Sequence, residues 1–492
     1  MPGVTYNYIY KSASELASLI REGKAKSTDI VTEHIERIKS LNGKINALVS
    51  LFDEEAIAEA QLCDKEASTG NFRGPLHGVP VTIKECFWIK GKKSNMNFKM
   101  LRHFVAPEDA VVVQRIRQSG AIILGQSNVP KSLIDFQVRG DLYPEGKNPY
   151  NFAHTPGGST GGGSAAIAAG FSALELGSDF GGSVRIPSDF CGLYGLKPTE
   201  RTVPLHGNIP LPKNANTFLI QMTQAGPLGR SVEDVELLWK IIKGPHESDR
   251  NVADINWKTP TGKDLSAYKI AWTDSWPGLE TSEAIKNVLA EFAGRLAKEG
   301  VIIEKNIPDA SIHLDSLKVY GGIFPYVVSA GTPWLIRMLI KWQLNSGLLK
   351  GLNSFFSPVT KAMNRGFKLR ASHYGKMMLE RMRLTRRWEN FFTDYDFLIC
   401  PVAFGPAYPR CKTGSKIYYE GKEVVYINYA WPFNACFNAS GHPSLAIPLG
   451  LSKEGLPLGI QVVTKYWNEP ELLAFGKKLS AITPGFIKPK DF

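Results

Sequence analysis

Residues 157–199 read GGSTGGGSAAIAAGFSALELGSDFGGSVRIPSDFCGLYGLKPT, and two serines in this stretch, Ser159 and Ser183, each follow a Gly-Gly pair. Glycine lets the backbone adopt conformations that a Cβ forbids, so such loops hold serines for chemistry. The small residues after Ser159 favour a tightly packed helix, which would place this serine just before a helix start. One Gly-Gly-Ser is typical of a structural loop. Two of them, 24 residues apart and followed by Arg185 and LKPT, indicate a catalytic site.

These residues resemble the signature of the amidase signature family, in which GGSSGG is followed after a spacer by GTDxGGS(I/V)R and then by GLKPT. Members of that family hydrolyse carboxamides with a Ser-Ser-Lys triad. The resemblance implies Ser183 as the nucleophile and Ser159 as the bridging serine. This chain departs from the pattern at Thr160, where a second serine is usual, and mildly at Ser178 and Phe180.

A lysine directly after a short apolar strand completes the triad. Residues 78–85 read GVPVTIKE, in which residues 81–83 predict a buried strand that ends at Lys84. Taken alone, a lysine at a strand end more commonly reaches solvent. The stretch resembles the GxPxxxKD element of the family, with Glu85 in place of the aspartate, and this resemblance implies Lys84 as the base. Burial would lower the lysine pKa and supply a neutral amine.

Amide hydrolysis needs a nucleophile, a proton relay and an oxyanion hole, because the leaving nitrogen must be protonated. We expect Ser183 to attack the carbonyl carbon and Ser159 to pass the Ser183 proton to Lys84. The glycines directly before Ser183 leave backbone N–H groups free to converge on the carbonyl oxygen. The expected oxyanion hole consists of the N–H groups of Phe180, Gly181, Gly182 and Ser183.

Three further residues are expected to support the reacting groups. Asp179 and Arg185 match family positions that hold the nucleophile loop, and Thr160 keeps a hydroxyl beside Ser159. The resemblance also implies a cis peptide bond between Gly158 and Ser159. We expect no cofactor and no metal ion, since the six cysteines are scattered without a C-x-x-C pair.

The overall composition is ordinary for a globular protein, with 43% hydrophobic and 21% charged residues among 492. No secretory signal and no apolar run of membrane-spanning length occur, so we expect a cytoplasmic protein. The formal charge is +12, but Lys and Arg are spread along the chain, which favours a solvated basic surface over a nucleic-acid groove. The expected partner is a small-molecule amide, bound by a monomer or homodimer.

Strands that alternate with helices predict an α/β fold, with a large, mostly parallel mixed sheet covered by helices on both faces. Ser231, with Asp234 three residues later, predicts a helix start, and Ser27 and Thr28 are candidate caps of an earlier helix. We expect one amidase-signature domain over residues 1–492. Its expected parts are a helical region at 1–75, a catalytic core at 76–240 and a helical lid or substrate-channel insertion at 310–390.

Residues 320–369 are rich in Trp, Phe, Ile and Leu interleaved with basic residues. Arg337 and Lys341 are four residues apart on one face of a predicted helix. The segment fits a core-packed lid, an acyl-chain or aryl-group channel, or a helix on a membrane surface, and the sequence leaves these three open. Peripheral membrane contact thus stays open, whereas an integral span is not expected.

The substrate class depends on residues 429–434, YAWPFN. In the family, glutaminase subunits of the tRNA-dependent amidotransferase carry an aspartate here to hold the amino group of glutamine, and this stretch has no acid. Trp431 and Phe433 are expected to line an apolar pocket. We therefore expect an amidase of hydrophobic aryl acylamides or acyl amides, nearer to aryl acylamidases and fatty acid amide hydrolases than to these glutaminases. The alternatives are a fatty acid amide hydrolase-like enzyme and the glutaminase subunit.

Residues 157–161 also satisfy G-x-S-x-G, the pattern of an α/β-hydrolase. That interpretation needs a strand directly before Ser159 and a later acid and histidine, with His206 or His442 as candidates. The preceding residues, KNPYNFAHTP, are turn-like, which argues against it. The other alternative is a binding protein without catalytic activity. Such a protein would not need Lys84, Ser159 and Ser183 together, so their joint presence argues against it.

Overall fold

A mixed β-sheet of eleven strands forms the centre of the protein in the computed structural model, which describes residues 7–209, 221–329, 334–351 and 356–492. The strands in these ranges are β1 (Leu48–Leu51), β2 (Pro80–Lys84), β3 (Ile122–Ser127), β4 (Leu174–Asp179), β5 (Tyr194–Lys197), β6 (Gln224–Gly229), β7 (Lys269–Trp272), β8 (Ile302–Lys305), β9 (Phe397–Cys400), β10 (Ile417–Tyr419), β11 (Lys422–Val424), β12 (Ser444–Leu451) and β13 (Pro457–Val463). The sheet order is β1-β3-β2-β4-β6-β5-β12-β13-β9-β7-β8, and β10 and β11 form a separate hairpin.

Helices cover both faces of this sheet. Those in the described ranges are α1 (Ala13–Arg21), α2 (Ser27–Ile45), α3 (Asp53–Ser68), α4 (Val111–Gln118), α5 (Gly161–Ala168), α6 (Arg185–Phe190), α7 (Val232–Ile242), α8 (Glu283–Lys298), α9 (Ile312–Ser329), α10 (Trp334–Ser346), α11 (Ser357–Gly366), α12 (Ala371–Asp394), α13 (Trp431–Ser440) and α14 (Glu469–Ser480). Leu398 and Cys400 of β9 pack in one core cluster with α9 and α12. Phe397 and Ile399 pack in another with α8 and α14. Because alternate strand residues face opposite layers, the expected α/β fold with a large mixed sheet is confirmed.

The strands are less parallel than the sequence pattern suggested. Among the described strands, β2 pairs in parallel with β3 and β4, and β7 with β8 and β9. The other six pairings of the large sheet are antiparallel. The connection from β12 to β13 is a tight turn closed by a hydrogen bond from Ser452 N–H to the Leu456 carbonyl at 2.7 Å, which forces an antiparallel hairpin.

The parallel neighbours β2 and β4 bring two predicted functional segments to one edge of the sheet. Lys84 is the last residue of β2 and Asp179 the last residue of β4. The strands pair with Ile83 opposite Leu176, so their carboxyl ends lie side by side. The loop that carries Ser183 leaves β4 at this edge and runs into α6. The fold therefore places Lys84 and the loop that carries Ser183, named the nucleophile loop below after its expected role, next to each other.

The expected insertion at 310–390 is helical where the structure describes it, with α9, α10, α11 and the larger part of α12. Its residues 330–333 and 352–355 lie outside the described residues, as do residues 1–6 of the expected N-terminal part and 210–220 of the expected core. Within the described ranges, no helix combines the length and apolar character that crossing a bilayer requires. The expected part boundaries remain predictions.

Candidate active site

Lys84 is fully buried at the end of β2. Its Nζ atom donates hydrogen bonds to Ser159 Oγ at 2.8 Å, to the Ser178 carbonyl at 3.1 Å and to Ser178 Oγ at 3.0 Å. Burial lowers the pKa of Lys84 to about 8, because the charged form loses its hydration. A neutral amine is therefore accessible near physiological pH, with its lone pair beside a serine hydroxyl.

Ser159 lies just before the start of α5, as predicted, and the Gly158–Ser159 peptide bond is cis. The backbone of Thr160 joins the two serine loops, since its N–H donates to the Ser183 carbonyl at 3.1 Å. The Thr160 hydroxyl donates to the Ser178 carbonyl at 3.4 Å. The threonine at this position thus keeps a supporting hydrogen bond to the strand that faces Lys84.

Asp179 organises the backbone on both sides of Ser183. Its Oδ1 accepts from the Gly182 N–H at 2.9 Å, and its Oδ2 accepts from the Val184 N–H at 3.1 Å. Gly182 has a φ of 107°, a conformation that residues with a Cβ rarely adopt. The carboxylate and the glycine together fix the turn on which the buried Ser183 lies.

The bond from Gly182 to Asp179 changes the expected oxyanion hole. An N–H group that already serves a buried carboxylate is not available to a substrate oxygen without losing that bond. In the described part of the chain, the N–H groups of Phe180, Gly181 and Ser183 make no hydrogen bond to the protein. These three groups remain as candidate donors, whereas the Gly182 N–H is bonded to Asp179.

Arg185 and Asp179 form a salt bridge with 3.0 Å between Nη2 and Oδ1, and both side chains are fully buried. Burial alone would raise the pKa of Asp179, but the charge and hydrogen bonds of Arg185 outweigh it and lower that pKa. The guanidinium also donates to the Asn434 carbonyl at 3.2 Å, Gln461 Oε1 at 2.9 Å and Asn438 Oδ1 at 2.7 Å. This pair connects the nucleophile loop to α13 and β13.

Four aromatic rings, named the aromatic wall below, stand beside the nucleophile loop: Phe180, Tyr320, Phe324 and Trp431. A Cβ on Gly181 would lie 3.0 Å from the Tyr320 oxygen and 3.2 Å from Trp431 Cδ1, so both side chains touch the loop. Phe180 stacks on Phe324, with 5.5 Å between centroids and 11° between ring planes. An apolar surface therefore adjoins the candidate oxyanion donors.

Of the two predicted pocket residues, Trp431 belongs to the aromatic wall and Phe433 does not. Phe433 is fully buried in the core, and its carbonyl accepts from Gln461 Nε2 at 2.8 Å. Residues two apart on a helix point in different directions, which explains why only one reaches the loop. Tyr320 and Phe324 were missed because α9 meets the loop only in the folded chain.

Asp135 is an acidic residue whose backbone packs against Gly158, and the sequence did not indicate this contact. The carbonyl oxygen of Asp135 packs directly against Gly158, where any Cβ would collide with it. The Asp135 carboxylate accepts hydrogen bonds from the hydroxyls of Tyr426 and Thr413. Burial raises the pKa of this carboxyl group above its usual range. Its two oxygens are engaged by the protein's own hydroxyls, and residues 429–434 contain no acid.

The structure does not support the α/β-hydrolase alternative. No strand precedes Ser159 among the described residues 148–158. His206 pairs with Glu108 through Nε2 at 3.0 Å. His442 contacts Glu389 at 2.9 Å and Ser440 Oγ at 2.9 Å. Both histidines are therefore paired away from the serine loops.

One group of side chains in the described ranges has the composition of a metal site: Cys63, Glu66 and His77. Arg73 already binds both Glu66 oxygens, at 2.7 and 2.9 Å. His77 Nδ1 accepts from the Arg73 N–H at 3.2 Å, and Nε2 contacts the Cys63 carbonyl at 3.0 Å. Because the ligand atoms of Glu66 and His77 already have partners, we interpret the group as a hydrogen-bonded cluster of the N-terminal region.

Comparisons with known proteins cover nearly the whole chain. A family profile described as Amidase matches residues 29–473. A relative from Alkaliphilus metalliredigens (strain QYMF), named as one subunit of the glutamyl-tRNA(Gln) amidotransferase, is 30% identical over 90% of this chain and 91% of its own length. A solved structure from work on a vestigial protein complex and the origins of an s-triazine catabolic enzyme has a TM-score of 0.80 and 27% identity, covering 98% of this chain and 100% of that chain. A bacterial aryl acylamidase of the amidase signature family has a TM-score of 0.77 and 20% identity, covering 96% of each chain.

These similarities correct one expectation. The relative named for the glutamyl-tRNA(Gln) amidotransferase is similar in sequence, whereas the aryl acylamidase, at 20% identity, is similar in fold. The comparisons therefore do not support the expectation that this chain is nearer to aryl acylamidases and fatty acid amide hydrolases. The comparisons do support the resemblance to the amidase signature family that was inferred from the serine and lysine motifs.

Proposed function

We propose that amide hydrolysis by this chain proceeds through an acyl-enzyme on Ser183. The premise is that the chain belongs to the amidase family and hydrolyses the C–N bond of carboxamides. The observation that carries this proposal is the 2.8 Å contact between the buried Lys84 Nζ and Ser159 Oγ. A buried lysine with a lowered pKa beside a serine hydroxyl is the arrangement that a proton relay requires.

In the proposed reaction, the neutral Lys84 takes the proton of Ser159 while Ser159 takes the proton of Ser183. The Ser183 oxygen then bonds to the carbonyl carbon, and the N–H groups of Phe180, Gly181 and Ser183 stabilise the negative oxygen. When the C–N bond breaks, the same relay returns a proton to the leaving nitrogen. Water activated by the relay then attacks the ester and releases the acid.

The test is a serine-directed fluorophosphonate probe applied to the parent and to two variants. We expect the probe to label Ser183 in the parent, as located by peptide mass spectrometry, because the relay raises the nucleophilicity of that hydroxyl. Ser183→Ala should abolish both labelling and amide turnover. Ser159→Ala should slow labelling of Ser183 without moving it. Labelling at Ser159 in Ser183→Ala would overturn the assignment.

We further propose an apolar group next to the scissile carbonyl of the substrate. The aromatic wall supports this, because burying an apolar group against it gains about 25 cal/mol per Å². The relative named for the glutamyl-tRNA(Gln) amidotransferase supports a second candidate, a glutaminase subunit that works in a complex.

We also propose that α9, within the expected insertion at 310–390, acts as the lid over the site, since it supplies Tyr320 and Phe324.

A further inference from the structure

The net positive charge is concentrated in one part of the chain, because that part lacks acidic residues. Residues 316–379 contain no Asp or Glu and nine Lys or Arg, while the whole chain has a formal net charge of +12. The nine are Lys318, Arg337, Lys341, Lys350, Lys361, Arg365, Lys368, Arg370 and Lys376. Lys and Arg are spread along the chain, but most of the net positive charge lies in the stretch from α9 to the start of α12. Such a stretch attracts an anionic surface.

Helix α10, in the middle of this stretch, turns an apolar face to solvent. The face consists of Trp334, Leu335, Met338, Leu339 and Trp342, which recur at the spacing of one helical stripe. The two tryptophans are 62% and 65% exposed, and Leu335 is 64% exposed. Large apolar side chains that are exposed together on adjacent turns mark an interaction surface.

The other side of α10 is already packed. Leu344 is buried, and Ile340 packs half-buried against the same core cluster, which also contains residues of α9 and α11. The outer apolar face therefore cannot turn inward without exposing the inner one. Arg337 and Lys341 are half-buried, four residues apart, and adjoin the exposed stripe. Apolar and basic groups thus meet at one surface.

We propose that α10 docks the protein on the surface of a lipid bilayer that contains anionic lipids. Tryptophan favours the interface between headgroups and acyl chains, and Lys and Arg near it bind lipid phosphates. A helix of thirteen residues lies in the plane of that interface instead of crossing it. The charge of the 316–379 stretch selects a lipid surface over a neutral protein partner. This inference does not depend on the proposed amide chemistry.

Co-sedimentation with vesicles tests the proposal. We expect the full chain to bind vesicles of phosphatidylcholine and phosphatidylglycerol about tenfold more strongly than vesicles of phosphatidylcholine alone, with the difference lost at high salt. The double substitution Trp334→Ser with Trp342→Ser should weaken binding to both vesicles about tenfold. Trp467→Ser, at an exposed tryptophan elsewhere in the chain, is the matched control and should bind as the parent does.

A second variant keeps the test independent of the tryptophans. Lys341→Gln with Lys350→Gln should lose the preference for phosphatidylglycerol and keep the binding to phosphatidylcholine. Circular dichroism and the unfolding temperature establish that each variant is folded. Equal binding by the parent and the double tryptophan variant would overturn the proposal. So would light scattering that finds a dimeric parent and a monomeric tryptophan variant, because a second copy would then cover α10.

Discussion

Lys84 sets the pH dependence of the proposed reaction. Burial lowers its pKa to about 8, and only the neutral amine can accept the proton of Ser159. We therefore expect kcat/KM to rise about tenfold per pH unit below pH 8 and to level off above it. The measurement is the profile of kcat/KM for a neutral amide substrate from acid to alkaline pH.

Two substitutions separate the charge of Lys84 from its size. Lys84→Ala should reduce acylation by about three orders of magnitude or more, because the relay loses its base. Lys84→Arg should not restore the rate, because a guanidinium stays protonated. A pH profile without an acid limb in the parent, or substantial activity in Lys84→Ala, would mean that Lys84 only supports the fold.

Ser178 is expected to tune the lysine. Its hydroxyl and its carbonyl both contact Lys84 Nζ, at 3.0 and 3.1 Å. Hydrogen bonds to a charged donor are stronger than those to a neutral one, so the Ser178 hydroxyl stabilises the ammonium form. Ser178→Ala should thus move the acid limb of the kcat/KM profile to lower pH, whereas Ser178→Thr keeps a hydroxyl and should leave the limb in place. A limb that stays or moves upward in Ser178→Ala contradicts this role.

At this scale the sequence predicts the residues that belong to a contiguous motif. Lys84, Ser159 and the Asp179–Arg185 pair stand where their motifs put them. The contacts of Ser178 and Gly182 could not be predicted. The direction of the Ser178 hydroxyl and the hydrogen bond from the Gly182 N–H to Asp179 both depend on the folded backbone. The same holds for Asp135, which reaches Gly158 only through packing.

Among the elements, helix starts were predictable where the cap is local. Ser231 caps α7 by accepting from the Asp234 N–H at 3.1 Å, as predicted. Ser27 and Thr28 do not cap α2, because they are its first two residues, and their N–H groups donate to the Asp64 carboxylate, at 2.5 and 3.2 Å. The capping acid comes from α3, so a local sequence pattern cannot reveal it.

The buried pair on α6 and β4 permits a stability prediction. Removing one partner of a buried ion pair leaves the other charge uncompensated, which costs about 3–5 kcal/mol. Arg185→Ala should lower the free energy of unfolding by that amount, since Asp179 is fully buried. Urea unfolding followed by circular dichroism measures it.

The control replaces both partners with uncharged residues of similar size. Asp179→Asn with Arg185→Met should destabilise less than Arg185→Ala alone, because no charge is left unpaired. If the double variant is the less stable of the two, hydrogen bonds to Asn438 and Gln461 matter more than the charge pairing.

The directions of the strands belong to the whole molecule and were the least predictable part of the fold. Local patterns identify a buried strand but do not state which neighbour it pairs with. Strand β5, for example, lies between β6 and β12, which are distant in sequence from each other. The alternation of strands and helices predicted a mostly parallel mixed sheet, whereas most strand pairings in the described sheet are antiparallel.

Whether this chain works alone or in a complex is also decided at the scale of the whole molecule. The proposed glutaminase candidate requires a complex, whereas the aromatic wall beside Gly181 supports the proposed apolar substrate. An α-ammonium group placed against that wall would lose hydration without a partner, at a cost of several kcal/mol. Asp135 does not provide that partner, since its carboxylate already accepts hydrogen bonds from the hydroxyls of Tyr426 and Thr413.

We accordingly expect the purified chain to hydrolyse N-acyl anilides or long-chain amides with a kcat/KM about a thousandfold above that for glutamine. Each added methylene should raise kcat/KM by about fourfold, equivalent to about 0.8 kcal/mol, until the apolar contact with the aromatic wall is complete. An early plateau in a series of acyl chain lengths indicates a shallow pocket, and a late plateau a deep one. Tyr320→Ala should flatten the series, while Tyr418→Ala, at an exposed tyrosine, should not. Glutamine hydrolysis at a comparable rate, or activity that needs a second protein, would favour the glutaminase candidate instead.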